Sequence, residues 1–263
     1  MPMKVNPLKV AMAAGRVQLG TWITLIRTPS ILTLLKSAGM HYARIDMEHS
    51  SPSVESVATM ATLARALDFP VLVRPPVGSR EWITRLLDAG VWGLHIPQVD
   101  TPDIAREVVK AARYAPLGLR GMGGVGPGND FEAPTDLSSQ LAFLNDQVHI
   151  TVMLESAEAF RNLDEIVGTP GIDAVTLGPG DLAQELGLTG SPDRGKVINE
   201  YRERMIAAAR RHKKDVAMMV GSVEEANRWI RAGVKMIVYT SDVDILMTGY
   251  GAVVKQVLPI PQS

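Results

Sequence analysis

Glu155 follows the aliphatic run His149–Leu154, and Asp181 follows Ala174–Leu177 across the turn Gly178-Pro179-Gly180. Two carboxylates delivered from neighbouring elements suit a hard divalent cation, because they leave several coordination positions for water and substrate oxygens. Each residue alone fits equally as the cap of a following helix, where acidic groups are stabilising anyway. Their joint placement favours the metal pair. The turn that carries Asp181 also opens a short helix, whose free N–H groups suit a substrate carboxylate.

A second cluster, Asp46-Met47-Glu48-His49, ends another aliphatic run. His49 is the one histidine in such a position: His41 and His149 begin runs, His95 sits inside one, and His212 ends a helix. An imidazole near pKa 6.5 accepts and returns a proton at neutral pH; a structural hydrogen bond is its plainer use. Asp46 and Glu48 are both placed to orient the ring. Arg74 closes Val71–Arg74 just before Pro75-Pro76. A guanidinium there suits a carboxylate or a developing enolate oxygen, or a salt bridge to one of the site carboxylates. Gln98, Asp100 and Thr240-Ser241-Asp242 end further runs.

The elements that position these residues alternate along the chain. Candidate strands are Val17–Leu25, Tyr42–Met47, Val71–Arg74, Gly93–Pro97, His149–Leu154, Ala174–Leu177, Asp215–Val220 and Met236–Tyr239. Amphipathic helical segments lie between them: Val54–Leu67, Arg80–Ala89, Thr101–Arg113, Ala157–Val167, Val197–His212 and Val223–Ala232. Continuous apolar strands followed by helices of period 3.6 are the pattern of buried parallel strands with helical crossovers. Ser222 with Glu225 reads as a capping box and Ser79 as a cap. Ala89-Gly90 and Ala232-Gly233 end helices just before strands. Eight such units in 263 residues with no linker predict one domain over 1–263, an α/β closed (β/α)8 TIM barrel rather than an open sheet. In a barrel the strand ends where these polar residues gather form the active face.

Composition removes several function classes. Lys plus Arg number 27 against 28 for Asp plus Glu, a net charge of −1, which offers no basic field for nucleic acid and no polybasic membrane anchor. The absence of cysteine excludes disulfides, thiolate metal sites and a thiol nucleophile, and suits a cytoplasmic protein. The N-terminal stretch is a poor signal peptide and no apolar run is long enough to span a membrane. Gly121-Met122-Gly123-Gly124-Val125-Gly126 matches the dinucleotide fingerprint, but Pro127-Gly128-Asn129 follow where a helix is required. It reads as a mobile loop beside the barrel mouth. Imine chemistry needs a lysine at a strand's C-terminal end, and none of the nine lysine positions (4, 9, 36, 110, 196, 213, 214, 235, 255) provides one.

At these residues the chain resembles the HpcH/HpaI aldolase family, class II aldolases acting through pyruvate-type nucleophiles. The matching stretches are Ile45–His49, Val73–Pro75, Leu86–Gly90, Ile96–Val99, Tyr114–Gly121, Met153–Ser156 and Leu177–Leu182, in family order from about residue 17 to 250. The resemblance implies a barrel of the phosphoenolpyruvate/pyruvate type with a divalent ion (Mg, Mn or Co) on Glu155 and Asp181. A 2-oxo acid would chelate that ion, helped by backbone N–H groups near Gly180 and Asp181. Arg74 would stabilise the enolate, and His49, supported by Asp46, would be the acid–base catalyst. Asp88 matches a family aspartate near the subunit contact that reaches a neighbour's histidine. A homo-oligomer, hexamer or trimer, is implied, with a C-terminal helix at about 242–257 packed on or exchanged with a neighbouring subunit.

Three departures stand out. Met153 replaces a common glutamine, which makes that side of the substrate pocket more apolar. Met122–Asn129 replaces an Ala-Arg-Ala-like stretch, and Tyr239-Thr240-Ser241-Asp242 replaces Val-Gly-x-Asp. The expected reaction is reversible aldol cleavage of a 4-hydroxy-2-oxo acid to pyruvate and an aldehyde. Its rivals are decarboxylation of oxaloacetate, a CoA-ester lyase for which no basic patch is evident, and a silent 2-oxo-acid-binding barrel.

Overall fold

A computed structural model describes residues 3–257. Eight parallel strands close into a barrel in sequence order: β1 (Gln18–Ile23), β2 (Tyr42–Asp46), β3 (Val71–Arg74), β4 (Gly93–Ile96), β5 (His149–Leu154), β6 (Ala174–Leu177), β7 (Asp215–Val220) and β8 (Met236–Ser241). The barrel closes where β8 pairs with β1, with a register shift between Gly20 and Trp22. Residues of β2, β4, β5 and β6 are buried throughout. This is why the strands read as unbroken apolar runs: one face meets the barrel axis and the other meets helices.

The helices are α1 (Pro7–Ala13), α2 (Ser30–Ser37), α3 (Val54–Ala66), α4 (Arg80–Asp88), α5 (Pro102–Ala112), α6 (Leu137–Gln147), α7 (Ala157–Arg161), α8 (Leu163–Gly168), α9 (Pro179–Glu185), α10 (Arg194–Arg211), α11 (Val223–Arg231) and α12 (Asp242–Val257). The side chains of Ser53, Ser79, Thr101, Ser156 and Ser222 each accept the backbone N–H three residues on, fixing the starts of α3, α4, α5, α7 and α11. The capping box expected at Ser222 is half formed. Ser222 takes the Glu225 N–H, but Glu225 accepts from Gly221 N instead of reaching back to Ser222. The segment 157–167, expected as one helix, is broken at Asn162 into α7 and α8.

Helices α1, α2 and α6 were not anticipated from sequence. Helix α1 seals the N-terminal end of the barrel: Leu8 and Met12 join Trp22, Tyr42, Leu72, Ala174, Ala217, Met236 and Val238 in the interior cluster. Asn6 caps α1 through Leu8 N and donates to Trp92 O at 3.0 Å and Gln147 O at 2.7 Å. Lys9 pairs with Asp173 at 2.8 Å. The glycine-rich segment 121–128, expected beside the mouth, lies at this same N-terminal end. Arg120 Nη2 donates to Asp88 Oδ1 at 2.6 Å, and Gly128 packs on Leu87 O at the finish of α4. That ion pair draws the loop away from the strand C-termini. Among the described residues no helix is long and apolar enough to cross a membrane.

Candidate active site

Polar residues converge at the C-terminal mouth because each strand stops there and the chain turns outward. Register places Asp46 directly opposite Arg74 on the adjacent strand. Arg74 Nε and Nη2 donate to Asp46 Oδ1 and Oδ2, both at 2.8 Å, and Nη1 lies 3.0 Å from Glu48 Oε2. The Arg74 guanidinium also stands 4.8 Å from the centre of the Trp22 ring. Burial works to raise the Asp46 pKa, but the Arg74 hydrogen bonds and the N–H groups of Glu48 and His49 hold it below its ordinary value. Glu48 goes the other way: burial raises it, against Arg74 and His49, with Asp46 and Asp181 adding to the rise.

The His49 side chain is 62% exposed and its Nε2 lies 3.7 Å from Glu48 Oε2. Asp46 accepts the His49 backbone N–H but its carboxylate is occupied by Arg74. Of the two carboxylates placed to orient the ring, Glu48 is therefore the neighbour, and Asp46 holds Arg74.

Glu155 leaves β5 almost fully buried, at 5% exposure. Its Oε1 accepts the Gln98 N–H at 2.6 Å, and Gln98 adopts φ of 53° to present that N–H. Asp181 stands in the first turn of α9, just past the end of β6, the strand that pairs with β5, and Gly178 of the intervening turn packs against the Glu155 carboxylate. Burial pushes the Glu155 pKa up to about 7; the Gln98 N–H opposes this, and Glu48 and Asp181 add to it. Three acidic groups thus share one mouth with an excess of negative charge, which a divalent cation would relieve. The backbone leaves the necessary room at Gly178, where a Cβ would stand 2.5 Å from Glu155 Oε2 and 3.1 Å from the Met153 sulfur. Met153 is buried beneath this pair. Gly180 has open space beside it in the first turn of α9. No group of three or more His, Asp or Glu side chains arranged to hold one ion occurs among the described residues; an ion here would rest on two carboxylates.

Beside Arg74 opens a cavity of about 380 Å³, lined by Trp22, Asp46, Met219, Arg202, Thr240 and Asp244 among others. Trp22 and Arg202 were missed in the sequence, since neither lies in an acidic or histidine-bearing strand end. Arg202 reaches in from α10 and is held by Glu225 at 2.8 Å and Asn199 at 3.1 Å.

Two of the mouth's acidic residues have other duties. Asp242 accepts from Thr24 N and Oγ1, Leu25 N and Ile26 N, which ties the loop after β1 to the start of α12. Asp100 binds Ser156 and Asn162. Asp88 lies at the opposite end of its own barrel, paired with Arg120. It cannot act in the site of its own chain.

Residues 18–248 match the sequence profile described as HpcH/HpaI aldolase/citrate lyase. A hydroxypyruvate/pyruvate aldolase from Deinococcus radiodurans is 37% identical over 219 residues, covering 80% of this chain and 77% of the relative. A 4-hydroxy-2-oxo-heptane-1,7-dioate aldolase from Escherichia coli is 32% identical, covering 92% and 90%. The crystal structure of an HpcH/HpaI aldolase from Desulfitobacterium hafniense superposes with a TM-score of 0.90 at 31% identity, covering 97% of both chains. By sequence and by architecture, the chain belongs to the HpcH/HpaI aldolase/citrate lyase family.

Proposed function

We propose that this barrel is a metal-dependent carbon–carbon lyase that forms and cleaves 4-hydroxy-2-oxo acids, joining a pyruvate-type 2-oxo acid to an aldehyde. One observation carries the reading: Glu155 and Asp181 stand at the C-terminal ends of the paired strands β5 and β6, the same end of the barrel at which β3 delivers Arg74. The two curated relatives, both aldolases, support it.

Glu155 and Asp181 would hold a divalent ion, Mg, Mn or Co, leaving its other positions for the 2-oxo acid. When bound, such an ion polarises the keto group and makes the adjacent C–H more acidic. Backbone N–H groups at Gly180 and Asp181 receive the substrate carboxylate. Arg74, fixed by Asp46 and Glu48, is preorganised to face the negative charge that develops on the keto oxygen, so little reorganisation opposes the reaction. His49, with Glu48 beside its ring, moves the proton at the hydroxyl of the new carbon–carbon bond. The cavity between Trp22 and Thr240 takes the aldehyde. The apolar wall at Met153 keeps water from the reacting carbon.

Helix α12 supports a homo-oligomer, trimer or hexamer. Met247 and Tyr250 are each 71% exposed, and Ile245, Val253 and Val257 are exposed with them. An apolar helix face of this kind is usual for a contact between subunits. In that arrangement Asp88 would serve a neighbour's His49.

Protein loaded with Mn²⁺ is expected to condense pyruvate or hydroxypyruvate with short aldehydes, to lose that activity to EDTA and to regain it with Mn²⁺ or Mg²⁺. Borohydride trapping of substrate on a lysine, or CO2 release from oxaloacetate with no aldol turnover, would overturn the reading.

A further inference from the structure

One group in the barrel interior has no place in this chemistry. Arg44, two residues before Asp46 on β2, is fully buried with its side chain on the barrel axis. Nη1 meets His95 Nδ1 at 2.6 Å, while Nε and Nη2 have no hydrogen-bond partner. A guanidinium only donates, so His95 accepts here and is uncharged. Burial, followed by Arg44 and Arg74, pulls the His95 pKa far below the ordinary range, in keeping with a neutral ring. Tyr42, the nearest phenol, gives its hydroxyl to Ile237 O and is pushed up to about 12 by burial, so it is neutral too. No carboxylate pairs with Arg44 among the described residues.

An isolated cation in a closed core is costly, and most cores place an aliphatic residue at such a position. Register shows what lies above it. Arg44, His95, Thr176 and Val238 come from alternate strands and form one layer of four across the axis. Trp22, Arg74, Met153 and Met219 form the next layer toward the mouth, and three of them line the cavity. Both guanidinium groups approach the same indole: the Arg44 carbon stands 5.7 Å from the Trp22 ring centre and the Arg74 carbon 4.8 Å. Arg44 is therefore one aromatic ring below the cavity floor.

The charges at the mouth give that position a use. Asp46, Glu48, Glu155 and Asp181 gather around the Arg74 guanidinium, while across the cavity Arg202 is balanced by Glu225 and Asp244 adds one more carboxylate. With a divalent ion in place, negative charge still remains in excess, and an anionic 2-oxo acid must approach it. We infer that Arg44 is a positioning residue that acts through space, offsetting part of this excess so that the ion-loaded mouth accepts an anion. The inference rests on the metal-dependent reading above. In a poorly screened interior, one charge at this range alters anion affinity by about tenfold.

Removing the charge should move two affinities in opposite directions. Calorimetry is used to titrate Mn²⁺ into metal-free protein, and then oxalate into Mn²⁺-loaded protein. For Arg44→Met, Mn²⁺ binding is expected to tighten about fivefold while oxalate binding weakens about tenfold. Arg44→Gln replaces Arg44→Met if the latter does not fold. A merely structural role would weaken both affinities, and that result overturns the inference, as do unchanged affinities. Wild-type protein that binds neither Mn²⁺ nor oxalate would instead remove the metal-dependent reading, a distinct outcome.

Discussion

Arg74 clasps Asp46 through two parallel hydrogen bonds of 2.8 Å and keeps its third nitrogen 3.0 Å from Glu48. The fork is planar and matched to a carboxylate, so it fixes the guanidinium in one orientation as no lysine can. Arg74→Ala is expected to stay folded and bind metal, yet to lose about 100- to 1,000-fold in kcat, the usual loss when one preorganised donor is removed. It also strands Asp46, whose side chain is nearly buried, at a cost of about 3–5 kcal/mol to stability. Steady-state kinetics at saturating Mn²⁺ and urea denaturation check both parts. Equal kcat in Arg74→Lys would deny the fork its importance.

Glu155→Ala and Asp181→Ala are each expected to weaken Mn²⁺ binding by about 100-fold or more, the upper end of what losing even a supporting group costs a metal site. Calorimetry on the apoprotein measures it directly. Gly178→Ala tests the same site from the backbone, since its Cβ would press on Glu155 Oε2. It should weaken Mn²⁺ binding without altering any ligand. Full metal-dependent activity in the double carboxylate variant would end the proposal.

Acid should loosen the N-terminal end of the barrel. Burial, with smaller contributions from Lys9, Arg44 and Arg113 and against Asp173, lowers the His149 pKa to about 4. In the unfolded chain the ring titrates near 6.5. The folded state thus binds fewer protons, so the His149 contribution is complete above pH 6.5 and is lost as pH falls toward 4, by about 3 kcal/mol in all. Asp173 is buried too, but His149, Lys9 and Arg113 hold its pKa below the ordinary value, so its own contribution persists through this range and is lost only at lower pH. Thermal melts from pH 7 to 4 should show a steeper decline for wild type than for His149→Gln. Parallel curves would contradict this account.

If α12 carries the subunit contact, Met247→Asp with Tyr250→Asp should reduce the assembly to smaller species in light scattering, because each carboxylate would be desolvated at the interface. Both side chains are exposed in the single chain, so the monomer should lose less than about 1 kcal/mol. An unchanged mass would exclude this face.

All eight strands were legible because parallel strands buried on two sides leave an unmistakable aliphatic signature. The helices that escaped notice are short or weakly patterned: α1 spans seven residues and α2 eight. At the mouth, Glu155, Asp181, Asp46 and Arg74 were all readable as polar residues at strand ends. What sequence order hides is pairing across strands. Nothing in the spacing of residues 46 and 74 says that they face each other, so sequence could not show that Arg74 occupies Asp46 and leaves Glu48 beside the His49 ring. Arg44 and His95 were concealed by position, since both lie inside runs that read as plain barrel wall. Asp242 looked like a site carboxylate, and only the donors it gathers from the loop after β1 reveal a tether.

The plug at the base of the barrel has a bearing on how the chain is made. Asn6 and Lys9 precede their partners along the chain, Asn6 by 86 residues from Trp92 and 141 from Gln147, and Lys9 by 164 from Asp173. During synthesis the segment that carries them cannot complete these pairings until Asp173 has emerged. Its docking is a late, long-range closure event in folding, and the stopper goes in only when the vessel is nearly whole.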